Sequence, residues 1–319
     1  MVLENTKVID IHAHIIAKKT PEDLARYHSS TIYRLSIYNP EMRIRDMEET
    51  GVAIQALSVR PRFHYELDSK IAVLISREQN EMIVKFVSKH PDRFVGLATV
   101  PLQDPQAAAD ELDRAMTILN MKGVEIGTNV NGKNLDDPKL WPFYEKAQEL
   151  EAFIFVHPTN VAGMDRMQKY HLGNLIGNPL ETSLAIASLI FGGVLESFPR
   201  LKFCFAHAGG FVPYQRGRLE HGFNVRPEGK EIISKPPSEY FKLLYFDTIT
   251  HYSPALRYLI ESVGSDHVLL GSDYPFDMAD PDPVSTITRL DSISSAEKRK
   301  VLSENAAKLL RIDYQEEGL

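Results

Sequence analysis

Two histidines one residue apart, in Ile9-Asp10-Ile11-His12-Ala13-His14, close the first apolar run of the 319-residue chain. In an extended backbone, residues i and i+2 point to the same face, so both imidazoles address one point in space and can share one divalent ion. Three later apolar runs end in a similar way: Phe155-Val156-His157-Pro158, Phe205-Ala206-His207-Ala208-Gly209-Gly210 and Gly271-Ser272-Asp273-Tyr274-Pro275. Taken singly, each of these residues reads more readily as a satisfied core histidine or a capping aspartate. Taken together they call for convergence at one end of a closed parallel sheet, which is where an α/β barrel keeps its active site. Mixed imidazole and carboxylate ligation suits Zn2+, Mn2+ or Fe2+ and disfavours Ca2+ and Mg2+, which prefer oxygen donors.

The elements that must position these residues are legible as an alternation. Eight short β-rich runs stand at Val8 to Ile11, Ala53 to Ser58, Phe94 to Thr99, Gly123 to Ile126, Phe153 to Val156, Lys202 to Ala206, Leu244 to Asp247 and Val268 to Gly271. Several are continuously apolar, as expected of strands covered by helices outside and packed on one another inside. Between them, Asp68 to His90, Pro105 to Leu119, Pro138 to Leu150 and Ser295 to Leu310 carry apolar residues at helical spacing. The pattern predicts a single (β/α)8 barrel domain over residues 1–319, with a small insertion at Thr20 to Asn39 over the barrel mouth.

Composition narrows the function classes. Hydrophobic residues make up 43% and charged residues 25%, ordinary for a globular chain with a large core. A net charge of −7 without a Lys/Arg cluster excludes a nucleic-acid footprint. No apolar run approaches bilayer length and none resembles a signal peptide at the start, so no membrane partner and a cytoplasmic location are expected. The single cysteine, Cys204, lies in the apolar stretch Phe203 to Ala206 and reads as a buried small hydrophobe.

With these residues in place, the chain resembles the amidohydrolase superfamily, whose pattern is HxH after strand 1, His after strands 5 and 6, and Asp after strand 8. No lysine follows strand 4, where Gly127-Thr128 stand, so the resemblance implies one metal ion rather than two. Finer matches look like the aminocarboxymuconate semialdehyde decarboxylase branch: Pro40 to Arg45, Arg93 to Leu97, Phe155 to Pro158, Phe205 to Gly210, Gly217-Arg218, His221 to Asn224 and Asp273 to Phe276. That resemblance implies one zinc ion, with manganese as the alternative, held by His12, His14, His157 and Asp273. It implies His207 off the metal as acid/base, with Asp273 beside it in the catalytic set. It also implies a homodimer in which Arg218 binds the carboxylate of a small-molecule acid in the neighbouring subunit.

The chemistry of the residues agrees. A divalent cation stabilises the electron density left when CO2 departs, a histidine can move the proton, and the planar fork of arginine holds a carboxylate by two parallel hydrogen bonds. The expected reaction is non-oxidative decarboxylation of a small conjugated or aromatic acid; hydrolysis or hydration, lactonase-like, is the alternative. Several positions depart from the family. Its arginine after strand 1 is matched only by Arg34, which reads equally as a surface charge; the tryptophan after His-Pro becomes Thr159, and downstream aromatics become His171 and Asn174. Arg60, Arg62 and His64 after strand 2, and Asp247 and His251 after strand 7, are further candidates to line the mouth or to orient a ligand. Trp141 reads as packing.

Overall fold

Eight strands, nearly every residue of them buried, account for the architecture. The computed structural model describes residues 6–16 and 39–313. In it β1 (Ile9–Ile15), β2 (Ile54–Val59), β3 (Phe94–Ala98), β4 (Gly123–Gly127), β5 (Phe153–His157), β6 (Lys202–Phe205), β7 (Tyr245–Asp247) and β8 (Val268–Leu269) form one sheet in sequential order. All neighbouring pairs are parallel. The residues after β8 return to β1 through Ile11 N to Leu270 O (2.9 Å), Asp273 N to His12 O (2.8 Å) and His14 N to Tyr274 O (2.8 Å). These bonds close the ring and place Asp273 beside the two histidines of β1.

The principal crossover helices are α1 (Pro40–Thr50), α2 (Ser69–Val87), α3 (Pro105–Thr117), α4 (Trp141–Glu149), α5 (Asn178–Phe191), α6 (Val212–Val225) and α7 (Ser253–Val263). Their starts are written locally. Asn39 and Asp104 accept from the backbone N–H three residues on, each followed by a proline at the first helical position, and Asp68 caps α2 through Lys70 N. The predicted segment Ser295 to Leu310 is helical throughout, with one π turn at Lys300–Glu304.

The core has two layers. Ile9, Ile11, Ala56, Leu97, Phe153, Phe155, Cys204 and Ala206 pack inside the ring, while Leu57, Val124, Ile126, Ile154 and Val156 pack outward against the helices. One irregularity matters for the site. Between Asp10 and Ala13 the β1–β2 register advances three residues on β1 for two on β2, a β-bulge. It switches the inward set from the odd residues Ile9 and Ile11 to the even residues His12 and His14, and His12 then stacks edge-on against inward Phe155 at 4.7 Å. Without the bulge, the same parity would turn both histidines away from the interior.

Candidate active site

His12, His14, His157 and Asp273 meet at the C-terminal mouth of the ring, all buried, with one donor atom from each lying within 4.8 Å of the others. Asp273 Oδ1 is 3.3 Å from both His12 Nε2 and His14 Nε2. These three atoms and His157 Nε2 are buried without a hydrogen-bond partner, an arrangement that costs stability unless something fills it. The remaining ring nitrogens are engaged on the outside: His12 Nδ1 donates to Asp247 Oδ2 (2.8 Å), His14 Nδ1 lies 2.9 Å from Ser58 Oγ, and His157 Nδ1 donates to Pro158 O (3.1 Å). For His12 and His157, whose Nδ1 partners can only accept, the neutral ring keeps its proton on Nδ1 and turns the Nε2 lone pair inward, the tautomer a metal ligand needs. Donors at roughly 2.1 Å from a tetrahedral zinc stand about 3.4 Å apart, and the 3.3 Å separations match that spacing. The residues fit one cation.

The electrostatics agree. Burial pushes His14 down to about 4 and, with the charges of His12, His14 and His207, holds His157 well below its ordinary value. Burial works against the Asp273 carboxylate, but His12, His14 and His207 outweigh it and keep its carboxyl well below the usual range. Two neutral imidazoles and an ionised carboxylate are the ligating forms. Burial alone would also lower His12, yet Asp273 and Asp247 raise it to about 10. Asp273 and Asp247 thus favour positive charge at His12, which a dication held by these residues would supply in place of the proton.

His207 stands just off this cluster. Its Nε2 is 3.5 Å from Asp273 Oδ2 and its ring centroid 5.3 Å from that of His157. It begins a run of left-handed residues, His207 (φ 53), Ala208 (φ 56), Gly209 (φ 75) and Gly210 (φ 64). A non-glycine residue in that region costs on the order of 1–3 kcal/mol, strain typical of functional turns. Gly210 is required where it stands, since a Cβ there would lie 2.1 Å from Pro179 O. Asp247 Oδ2 and Oδ1 accept from His207 N (3.0 Å) and Ala208 N (2.7 Å) and hold the turn. His207 and Asp273 line a cavity of about 330 Å3 with Asn174, Asn178, Phe211 and His251. A larger cavity of about 560 Å3 lies between α1 and the segment after β8; none of the four donor residues lines it, although Ser272 and Tyr274 on either side of Asp273 do.

The other sequence candidates divide. Arg218 is exposed on α6, lines neither cavity and has no ion-pair partner among the described residues. Arg34 and most of the Thr20 to Asn39 insertion lie outside the described residues. Arg60, Arg62 and His64 follow β2 but line neither cavity. Trp141 packs edge-on against Phe198 at 5.3 Å, and Cys204 is fully buried inside the ring.

Three supporting residues were given no individual role by the sequence reading. Arg43 of α1 is fully buried, donates to Gln55 Oε1 (2.9 Å) and to His14 O (2.5 Å), and lies over the Tyr274 ring at 4.6 Å. It braces the strand that carries the HxH pair. Ser58, the last residue of the predicted second run, backs His14. Glu125 of β4 turns inward with both oxygens unpartnered, 3.8 Å from His14 Nδ1, and burial raises it to about 8. An arginine in a run that otherwise reads as an amphipathic helix, and a glutamate inside an apolar strand, were the available signals.

A parallel barrel with ligand-type side chains gathered at its C-terminal mouth places the chain in the class of metal-dependent barrel enzymes. Comparison with known proteins narrows the class: the amidohydrolase family model matches residues 9–312, and the chain belongs to that family. A 2-amino-3-carboxymuconate-6-semialdehyde decarboxylase from Dictyostelium discoideum is 37% identical, over 96% of this chain and 92% of its own length. The crystal structure of 5-carboxyvanillate decarboxylase from Sphingomonas paucimobilis superposes with a TM-score of 0.83 at 28% identity, covering 97% of this chain and all of that one. A dihydroxybenzoic acid decarboxylase from Polaromonas, crystallised with manganese and the inhibitor 2-nitroresorcinol, superposes equally well (TM-score 0.83) at 25% identity, covering 96% and 97%. Among the described residues no helix is long and apolar enough to cross a membrane.

Proposed function

We propose that this chain is a metal-dependent non-oxidative decarboxylase of a small conjugated or aromatic carboxylic acid, a carboxy-lyase working as one barrel domain. The observation that carries the reading is the set of four orphaned donor atoms, from His12, His14, His157 and Asp273, gathered beside a cavity that Asp273 and His207 line. Three imidazoles and one carboxylate suit one zinc ion, with manganese as the alternative. When bound, the cation supplies positive charge that fixes the substrate oxygens and stabilises the charge developing on the conjugated system.

The chain's own residues do the rest. His207 delivers a proton to the carbon that bears the carboxylate. The carbon–carbon bond to CO2 then breaks, and its electron pair restores the conjugated system that the proton interrupted. Asp273, at 3.5 Å from His207 Nε2, stabilises the protonated imidazole and orients it. The cavity of about 330 Å3 admits a single small ring or its open-chain equivalent. A second element of the proposal is that Arg218 holds a substrate carboxylate across a homodimer interface; its exposure on α6 and the lack of an ion-pair partner among the described residues support that role. Incubation of metal-loaded protein with carboxymuconate-like and hydroxybenzoic acids, followed by CO2 release, tests the assignment. Stoichiometric CO2 from one of these acids is expected; water addition or hydrolysis without CO2 would replace the decarboxylase reading with the hydrolase or hydratase alternative.

A further inference from the structure

Strand β7 ends on Asp247, a fully buried carboxylate whose contacts divide between two parts of the site. Oδ2 accepts from His12 Nδ1 (2.8 Å) and from the backbone N–H of His207 (3.0 Å). Oδ1 accepts from the backbone N–H groups of Ala208 (2.7 Å) and Ile249 (3.1 Å). We infer that Asp247 is a positioning residue that sets, with one carboxylate, both the metal-facing tautomer of His12 and the backbone turn that presents His207. The inference rests on the metal reading given above.

The physical case has two halves. An ionised carboxylate only accepts hydrogen bonds, so His12 must keep a proton on Nδ1 and leave the Nε2 lone pair pointing at the cluster. The same oxygens absorb two successive amides of left-handed residues, His207 and Ala208, which no sheet or helix ladder satisfies. Because His12 and His207 share Oδ2, the group that binds the cation and the group that moves the proton are held in one frame. Gly271 keeps that frame tight: a Cβ there would lie 2.9 Å from His12 Cβ and 3.0 Å from Asp247 Cβ.

Asparagine has the same shape and half the acceptors. With its NH2 toward His12, it donates to Nδ1 and drives the ring proton to Nε2, the tautomer that cannot ligate. Turned over, its NH2 meets the N–H groups of Ala208 and Ile249, and the turn is released. Either orientation impairs one function while leaving the packing volume unchanged.

The experiment compares metal-stripped wild type, Asp247→Asn and His157→Ala by thermal unfolding and by Zn2+ titration against a chelator, and then measures kcat and KM of the zinc-saturated proteins. Asp247→Asn should unfold within a few degrees of wild type and bind Zn2+ on the order of 10–100-fold more weakly. Saturated with zinc, it should still lose more than about tenfold in kcat, with KM moved less than about threefold, because His207 is displaced. Unchanged Zn2+ affinity in Asp247→Asn, beside clear loss in His157→Ala, overturns the inference and leaves the metal reading standing. Unchanged affinity in His157→Ala overturns the metal reading itself. A full wild-type kcat at zinc saturation removes the link to His207. A measurement on the wild type needs no variant: nitrogen-15 spectra of the zinc-loaded protein should show an exchange-protected proton on His12 Nδ1, and its absence refutes the tautomer argument.

Discussion

Replacing Gly271 with alanine tests the packing of the site without removing any functional group. Gly271 lies outside the left-handed region, so alanine meets no backbone penalty, only a steric one. The added methyl carbon would sit 2.9 Å from His12 Cβ and 3.0 Å from Asp247 Cβ, against an optimum near 3.5–4.0 Å for carbon pairs. Neither neighbour is the free end of a flexible chain: one is the root of a ligating histidine and the other the root of the aspartate that orients it. Relief requires β1 or β7 to move by roughly half an ångström or more, which costs about 1–3 kcal/mol as overpacking. For a domain of this size that corresponds to a fall in Tm of roughly 1.5–4.5 °C. Because His12 moves with the strand, Zn2+ affinity should fall on the order of tenfold or more. Differential scanning calorimetry of the stripped protein and a chelator-competition titration read the two effects separately. A Tm within about 1 °C of wild type and an unchanged Zn2+ affinity would refute the close three-way approach of Gly271, His12 and Asp247.

Other outcomes follow from the same geometry. Asp273→Ala and His157→Ala should each lose bound metal and activity together, measured by elemental analysis and turnover, since a three-donor remnant binds far more weakly. His207→Ala should keep its metal and lose roughly 10²–10⁴-fold in kcat; loss of metal in that variant would make His207 a ligand. Mixing inactive Arg218→Ala with inactive His207→Ala should restore activity as heterodimers form, because one site then combines an intact His207 with an Arg218 from the other chain. Demonstrated subunit exchange without recovered activity would return Arg218 to its own chain's surface.

Most of the barrel was legible because its signal is repetitive. Each predicted run coincides with an observed strand to within a few residues, Leu244 to Asp247 against Tyr245–Asp247 for example, since continuous apolar runs of that length between helical patterns have few other readings. The convergence of these residues was legible for a related reason: His157, His207 and Asp273 each follow such a run, and strand order in a barrel dictates where its ends meet, while the choice of His12, His14, His157 and Asp273 as ligands came from the family resemblance. What escaped depends on contacts distant in sequence. The bulge at Asp10 to Ala13 leaves no mark in an i, i+2 pair, although it decides which way the pair faces. The fully buried Arg43 sits in a helix whose composition suggests a surface, and its partners Gln55 and the carbonyl of His14 come from other elements. Asp247 was legible as a residue that could orient a ligand; its hold on the His207 turn, forty residues away in the chain, was not.

The central claim, one cation held by four residues and required for CO2 release, is tested most directly by adding Zn2+ or Mn2+ stepwise to stripped protein while recording decarboxylation of the acid that the panel identifies. Activity should be absent at the start, rise linearly and reach its plateau at one equivalent of metal per chain. Turnover that persists in the stripped protein, or a plateau that requires two equivalents, would contradict the account.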